Sequence, residues 1–238
     1  MRIVDTTTHA NPFGEAARLF LAACYDRAEH PATVVGLCGG RSIVGFLDAL
    51  TEQLSNSGRA LPPNVHFFMV DERCVPLDHP DSNYRLLREG FFDRALANQQ
   101  IGPFQVHPFE IGQDPNAAAL AYTEKLVAFD IEGFSIVVLG LGEDGHIAGL
   151  FPHHPALAVE ERRFLTFDDS PKPPSHRMSA SLPLVCTAQY GFLLAFGAAK
   201  LQAFQRVTSE QVSLDECPGR VINSIPQSWT VTDLVAVS

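Results

Sequence analysis

Three short apolar runs, each halted by glycine or charged residues and separated by sequence with helical spacing, restrict what this chain can fold into. The first, Thr33–Leu37, is rich in β-branched residues, stops at Cys38-Gly39-Gly40 and gives way to SIVGFLDALTEQL. The second, VHFFMV (Val65–Val70), stops at Asp71-Glu72-Arg73. The third, FSIVVLGLG, stops at Glu143-Asp144-Gly145-His146. Between them, SNYRLLREGFFDRAL and DPNAAALAYTEKLVAFD read as helices. Alternating strands and helices predict an α/β fold, a Rossmann-like layered arrangement with a mostly parallel sheet flanked by helices.

The flanking segments extend this pattern. Asn11-Pro12 predicts a helix N-cap with proline at the first helical position, and the helix through GEAARLFLAACYDRA should end near His30-Pro31. Further strands are expected at RRFLTF, RMSASL, YGFLLAF and WTVTDLVAV, with a helix over Ala198–Thr208. The proline-rich DDSPKPPSH is too short for a domain linker, so one domain over residues 1–238 is expected.

Charge and cysteine usage narrow the partners. A net charge of −10 opposes attraction to nucleic acid or to an anionic membrane. No apolar run reaches the roughly 18 residues of a membrane span, and MRIVDTTTHANPF has neither the basic nor the apolar region of a secretory signal. Five cysteines without a C-x-x-C pair signal neither a disulfide framework nor a zinc knuckle, so a reducing cytoplasm is the expected location. An anionic small substrate would need cations gathered locally against the repulsive background. Each Arg or Lys beside a glycine-rich turn is therefore a candidate.

In open α/β sheets, ligands bind beyond the carboxyl ends of the strands, so three clusters at three strand ends point to one shared site. The turn Gly39-Gly40-Arg41-Ser42 opens a helix, whose free N–H groups suit a phosphate; a tight turn with purely steric glycines is the alternative. Cys38 reads as a small filler. Asp71-Glu72-Arg73 is either a solvated ion cluster or a site in which Arg73 holds a ligand and Asp71 orients a neighbour. His146 directly follows Asp144-Gly145 at a strand end, and histidine is the residue type suited to general-base activation of water, although a single histidine is more often structural. The stretch Gly140–Gly145 matches G-x-G-x-x-G, with Glu160 about where a ribose-binding acid would stand. Pro152 and Pro155, however, interrupt the helix that a dinucleotide site requires. His153 and His154 form no recognised zinc spacing with His146, and no metal is expected. Arg177 and Lys200 stand at segment junctions, as surface charges or as anion ligands.

Taken in order, VDERCVPLDHPDSNYRLLREGFF, LGLGEDGHIAGLFP, KPPSHRMSASLPLV and the shorter GAAK at Gly197–Lys200 resemble the 6-phosphogluconolactonase family, within the wider group that includes glucosamine-6-phosphate deaminases. The likeness runs from about Val34 to about Ile225. It implies the deaminase and ribose-phosphate isomerase type of fold, a phosphorylated sugar lactone as substrate, no metal or organic cofactor, and a monomer or weak homo-oligomer. By the same resemblance His146 activates water beside Asp144 and Asp71. Gly39, Gly40, Arg41, Ser42, Arg177 and Lys200 would clamp the 6-phosphate, and Arg73 would help hold the substrate. The family's usual S-G-G-S-T-P turn is here Cys38-Gly39-Gly40-Arg41-Ser42-Ile43, and its common serine after D-G-H-x-A is Gly149. A deaminase of this group would carry a carboxylate five residues after the histidine and a tyrosine in place of Arg73. Phe151 and Arg73 favour the lactonase. A non-catalytic sugar-phosphate sensor is the third reading, and retention of His146 speaks against it.

Overall fold

Two sheets share one hydrophobic core in the computed structural model, which describes residues 1–7, 11–129 and 132–234. The strands are β1 (Arg2–Asp5), β2 (Thr33–Leu37), β3 (Val65–Met69), β4 (Asp71–Arg73), β5 (Val106–His107), β6 (Ile136–Gly140), β7 (Phe164–Phe167), β8 (Arg177–Ala180), β9 (Tyr190–Ala195) and β10 (Gln227–Thr232). The helices are α1 (Gly14–Asp26), α2 (Arg41–Ser57), α3 (Asn83–Leu87), α4 (Asp93–Ala97), α5 (Pro115–Val127), α6 (Leu182–Val185) and α7 (Leu201–Thr208). The main sheet is parallel throughout, in the order β1-β10-β9-β6-β2-β3-β5.

Burial on both faces explains the unbroken apolar runs. Neighbouring residues of β3 point to opposite faces: Phe67 packs on Phe91 and Phe92 between α3 and α4, while Phe68 packs on Tyr122 of α5. On the first face α1 and α2 join Phe20 to Phe46, and Phe20 meets Phe192 of β9. On the second, the Tyr122 hydroxyl donates to His107 O at 2.6 Å and accepts from Met69 N at 2.9 Å, tying α5 to β3 and β5.

The chain leaves β2 for β3 on one side and returns from β5 to β6 on the other. Loops after β2 and β6 therefore diverge, opening a crevice at this switch point. Gly40, just after β2, and Gly140, the last residue of β6, both line a hollow there.

Several boundaries differ from expectation for physical reasons. The first helix begins at Gly14, because Asn11 instead closes a preceding turn by accepting from Phe13 N and Gly14 N, and it ends at Asp26, well before His30-Pro31. The stretch read as one helix from Ser82 is α3 and α4 joined by a π turn, Arg88–Phe92. Asp71-Glu72-Arg73 is not a loop: Val70 donates to Leu37 O and accepts from Ala180 N, handing the chain from the main sheet to a second one. That second sheet, β4-β8-β7, is antiparallel and takes RRFLTF and RMSASL out of the parallel array. Residues 130 and 235–237, the ends of an expected helix and an expected strand, lie outside the described residues.

Candidate active site

Two hollows flank the amino end of α2. Gly40, at φ 91°, caps that helix without any side-chain cap, so its first N–H groups remain available to an anion. On one side, a hollow of about 370 Å³ is lined by Arg41, Ser42, Glu143, Gly197 and Lys200. Lys200 Nζ donates to Ser42 Oγ at 2.8 Å. Burial lowers the Lys200 pKa from its ordinary value, the nearby Arg41 adding to the effect. No ion pair engages Lys200 among the described residues, whereas Arg41 reaches across the mouth to Glu143 at 3.5 Å.

The second hollow, about 200 Å³, holds His146 together with Gly39, Gly40, Asp71, Arg73, Asn83, Phe151, Lys172 and Arg177. Its floor is a tight turn in which Gly142 N donates to His146 O at 2.8 Å and Gly145, at φ 93°, donates to Gly142 O at 3.1 Å. The imidazole folds back over Gly142, leaving no room there for a Cβ. That close approach explains a glycine which, as sequence, imitates a nucleotide fingerprint. No long helix follows; the next element is a single 3-10 turn, Pro155–Ala158, and Glu160 is exposed.

Asp144 Oδ1 meets His146 Nδ1 in a short contact. Burial pushes the Asp144 carboxyl up, but the hydrogen bond and charge of His146, and then Lys172, outweigh it and hold the group well below the usual carboxylate range. An ionised Asp144 can only accept, so a neutral His146 donates to it through Nδ1–H and has Nε2 as its basic nitrogen. The Phe151 ring lies on the imidazole, centroids 4.7 Å apart, and is 2% exposed.

A later stretch of chain braces this turn from behind. Arg206 Nη1 donates to Asp144 O at 3.1 Å, and Gly219 N to Gly145 O at 2.9 Å. His153 N donates to Asp215 O at 2.9 Å while its ring meets the Asp215 carboxylate at 2.6 Å; His154 pairs with Asp169 at 3.0 Å. Neither histidine joins His146 in a common cluster.

The second sheet delivers the charged wall. Glu72, 1% exposed, accepts from Arg73 N, Ser82 Oγ, Asn83 N and Tyr84 N, and so locks β4 to the start of α3. Asn83 Nδ2 then donates to Asp71 Oδ2 at 3.1 Å and fills the space beside Gly39. Arg73 and Arg177 stand directly opposite each other on β4 and β8, a repulsive pairing of like charges. Burial lowers the Arg177 pKa and Arg73 lowers it further; an anion between the two would relieve both effects. Arg73 donates to Asp81 O through Nη1, and its buried Nε has no partner among the described residues.

His146, Asp71, Arg73, Arg177, Gly39 and Gly40 therefore line one hollow, which Asp144 reaches through His146, and Arg41, Ser42 and Lys200 line the adjoining one. Arg177 thus lines the hollow that holds His146, and Lys200 lines the adjoining one. Cys38 is buried, its thiol pushed up to about 12 mainly by burial, in keeping with a filler. Sequence reasoning passed over Lys172, Asn83 and the bracing Glu72. Lys172 and Asn83 lie inside blocks that carried the resemblance, but nothing local marks which of their side chains turn inward.

Comparison with known proteins adds a second line of argument. The family described as glucosamine-6-phosphate isomerases/6-phosphogluconolactonase matches residues 9–231. A 6-phosphogluconolactonase of Borreliella burgdorferi is 34% identical over 204 residues, covering 85% of this chain and 84% of that protein. A solved 6-phosphogluconolactonase of Trypanosoma cruzi superposes with a TM-score of 0.80 at 23% identity, over 99% of this chain and 95% of that one. A monomeric glucosamine-6-phosphate deaminase superposes with a TM-score of 0.82 at 17% identity over the whole of both chains. At those identities the two structures establish the fold alone. The matched family, the level of identity to the Borreliella protein and the shared fold agree: the chain belongs to the family of glucosamine-6-phosphate isomerases and 6-phosphogluconolactonases.

Proposed function

We propose that the protein hydrolyses 6-phospho-D-glucono-1,5-lactone to 6-phospho-D-gluconate, the lactone-opening step of the oxidative pentose phosphate pathway. The observation that carries the reading is the Asp144–His146 pair opening on a hollow to which Arg73 and Arg177 bring positive charge in an otherwise acidic chain. His146 Nε2 takes a proton from water as the water oxygen attacks C1. The carbonyl oxygen becomes an oxyanion, which the charge of Arg73 and Arg177 stabilises. On collapse the C1–ring oxygen bond breaks, and the imidazolium returns its proton to the departing oxygen. The product is the open-chain acid, which ionises.

The 6-phosphate belongs in the adjoining hollow, on the N–H groups of the Gly39–Ser42 turn, on Ser42 Oγ and on Lys200. In this reading Arg177 serves the lactone end, since its Nε and Nη2 are given to loop carbonyls and it lines the hollow that holds His146. Phe151 supports water activation over ring opening: a buried aromatic ring covers the imidazole where an isomerising enzyme would need a carboxylate. Freshly generated lactone should disappear well above its spontaneous rate with wild-type protein. His146→Ala should lower kcat by about 10²-fold at little change in KM. Wild-type rates no better than buffer would end the lactonase reading.

A further inference from the structure

The proline-rich loop places a cation against the catalytic pair. Lys172 Nζ lies 3.0 Å from Asp144 Oδ2 and 3.3 Å from His146 Nδ1. An ammonium has three donors and no acceptor, so beside an Nδ1 that donates its proton to Oδ1 it bonds Oδ2 alone, and its 3.3 Å approach to Nδ1 is a contact rather than a hydrogen bond. The backbone beneath it is fixed. Ser170 Oγ donates to Lys172 O at 3.0 Å and accepts from Lys172 N at 3.3 Å, and Ser170 N donates to Ser175 O at 3.1 Å.

Arg177, 6% exposed, grips the same loop from within. Its Nε donates to Pro174 O at 2.8 Å and its Nη2 to Pro173 O at 3.0 Å and to Lys172 O at 3.2 Å. A buried guanidinium must recover its lost hydration through such contacts. Here all three go to consecutive carbonyls of the segment that carries Lys172. Lys200 provides the contrast: it has no carboxylate partner among the described residues and remains open to an anion, whereas the charge of Lys172 is matched by Asp144.

We propose that Lys172, held by Arg177, is a positioning residue: it locks the Asp144 carboxylate so that His146 keeps its proton on Nδ1 and presents Nε2 to the reaction. The kinetic part of this proposal rests on the lactonase reading, and the spectroscopic part does not. The test compares the full chain with Lys172→Met and Lys172→Arg. The readouts are kcat and KM for freshly generated lactone and the ¹⁵N ring signals of His146 in ligand-free protein, assigned by their loss in His146→Ala.

Lys172→Met is expected to lower kcat about tenfold with KM within about twofold, as for a misaligned base. Its ring nitrogens should move from the Nδ1-protonated pattern toward a tautomeric average. Lys172→Arg should return most of kcat and the wild-type ring pattern. A raised KM at constant kcat overturns the proposal, because Lys172 would then be a substrate ligand. A lowered kcat with an unchanged ring pattern also overturns it, since the lysine would not be acting through His146, and so does an unchanged kcat. Wild-type protein no faster than buffer would remove the lactonase reading alone, and the ring spectra of the variants would still decide the role of Lys172.

Discussion

Replacing Gly142 by alanine puts a methyl group into the proposed catalytic pair, Asp144 and His146, while leaving the backbone unstrained, because Gly142 lies outside the left-handed region. The added Cβ overlaps the His146 ring and falls 2.7 Å from Asp144 Oδ1. Ordinary contact needs about 3.5 Å. The carboxylate must therefore retreat by roughly 0.8 Å and the imidazole by more. A misplacement of about 1 Å costs on the order of 10² in rate, or about 2.7 kcal/mol of transition-state stabilisation. The atoms that must yield are the ends of two side chains, so the fold and its urea midpoint should hold. Initial rates of acid release from freshly generated lactone, corrected for spontaneous hydrolysis, give kcat for Gly142→Ala, His146→Ala and the double variant. If Gly142→Ala acts only by displacing His146, the double variant is no slower than His146→Ala alone. A wild-type kcat in Gly142→Ala, or losses that multiply in the double variant, would refute the reasoning.

Two further outcomes follow from other parts of the molecule. Lys200→Met removes a charge-assisted hydrogen bond from the proposed phosphate hollow, worth about 1.5–3 kcal/mol, and should raise KM roughly 10- to 100-fold with a smaller change in kcat; an unaltered KM in steady-state kinetics would move the phosphate elsewhere. His107 is driven down to about 4 by burial, with Lys125 and His66 adding to it, whereas in the unfolded chain it takes its proton near pH ~6.5. The stability its neutral ring contributes is thus complete above about pH 6.5 and is lost as pH falls toward 4. His107→Phe should flatten that limb of the urea-midpoint curve, and a curve parallel to wild type would contradict this.

Legibility in the sequence followed how locally each feature is determined. β2 was readable to its ends, because a fully buried strand of β-branched residues closed by two glycines has few other fates. The start of α5 was readable from Asp114, which caps it through Asn116 N and Ala117 N. The passage from β3 to β4 was not, since a one-residue handover between sheets depends on β8, about a hundred positions away. β1 and β5 are edge strands of four and two residues, too short for a period to emerge. At the site, His146 and Asp144 could be paired from their adjacency alone. Lys172 could not, because its partners lie 26 and 28 positions earlier and a proline-rich loop carries no signal of which way it folds. The division of Arg177 and Lys200 between two hollows is likewise a matter of depth and direction, which no linear spacing records.

The brace behind the His146 turn bears on biosynthesis. Arg206 and Cys217, whose contacts secure Asp144 and Gly145, are added 62 and 72 residues after those positions. At typical elongation rates that is a delay of about 3–15 s. A nascent chain can by then have laid down β2, β3 and β6, with His146 already in place but its turn unsecured. The turn that carries His146 is therefore secured late in synthesis, when the segment through Gly219 docks against it.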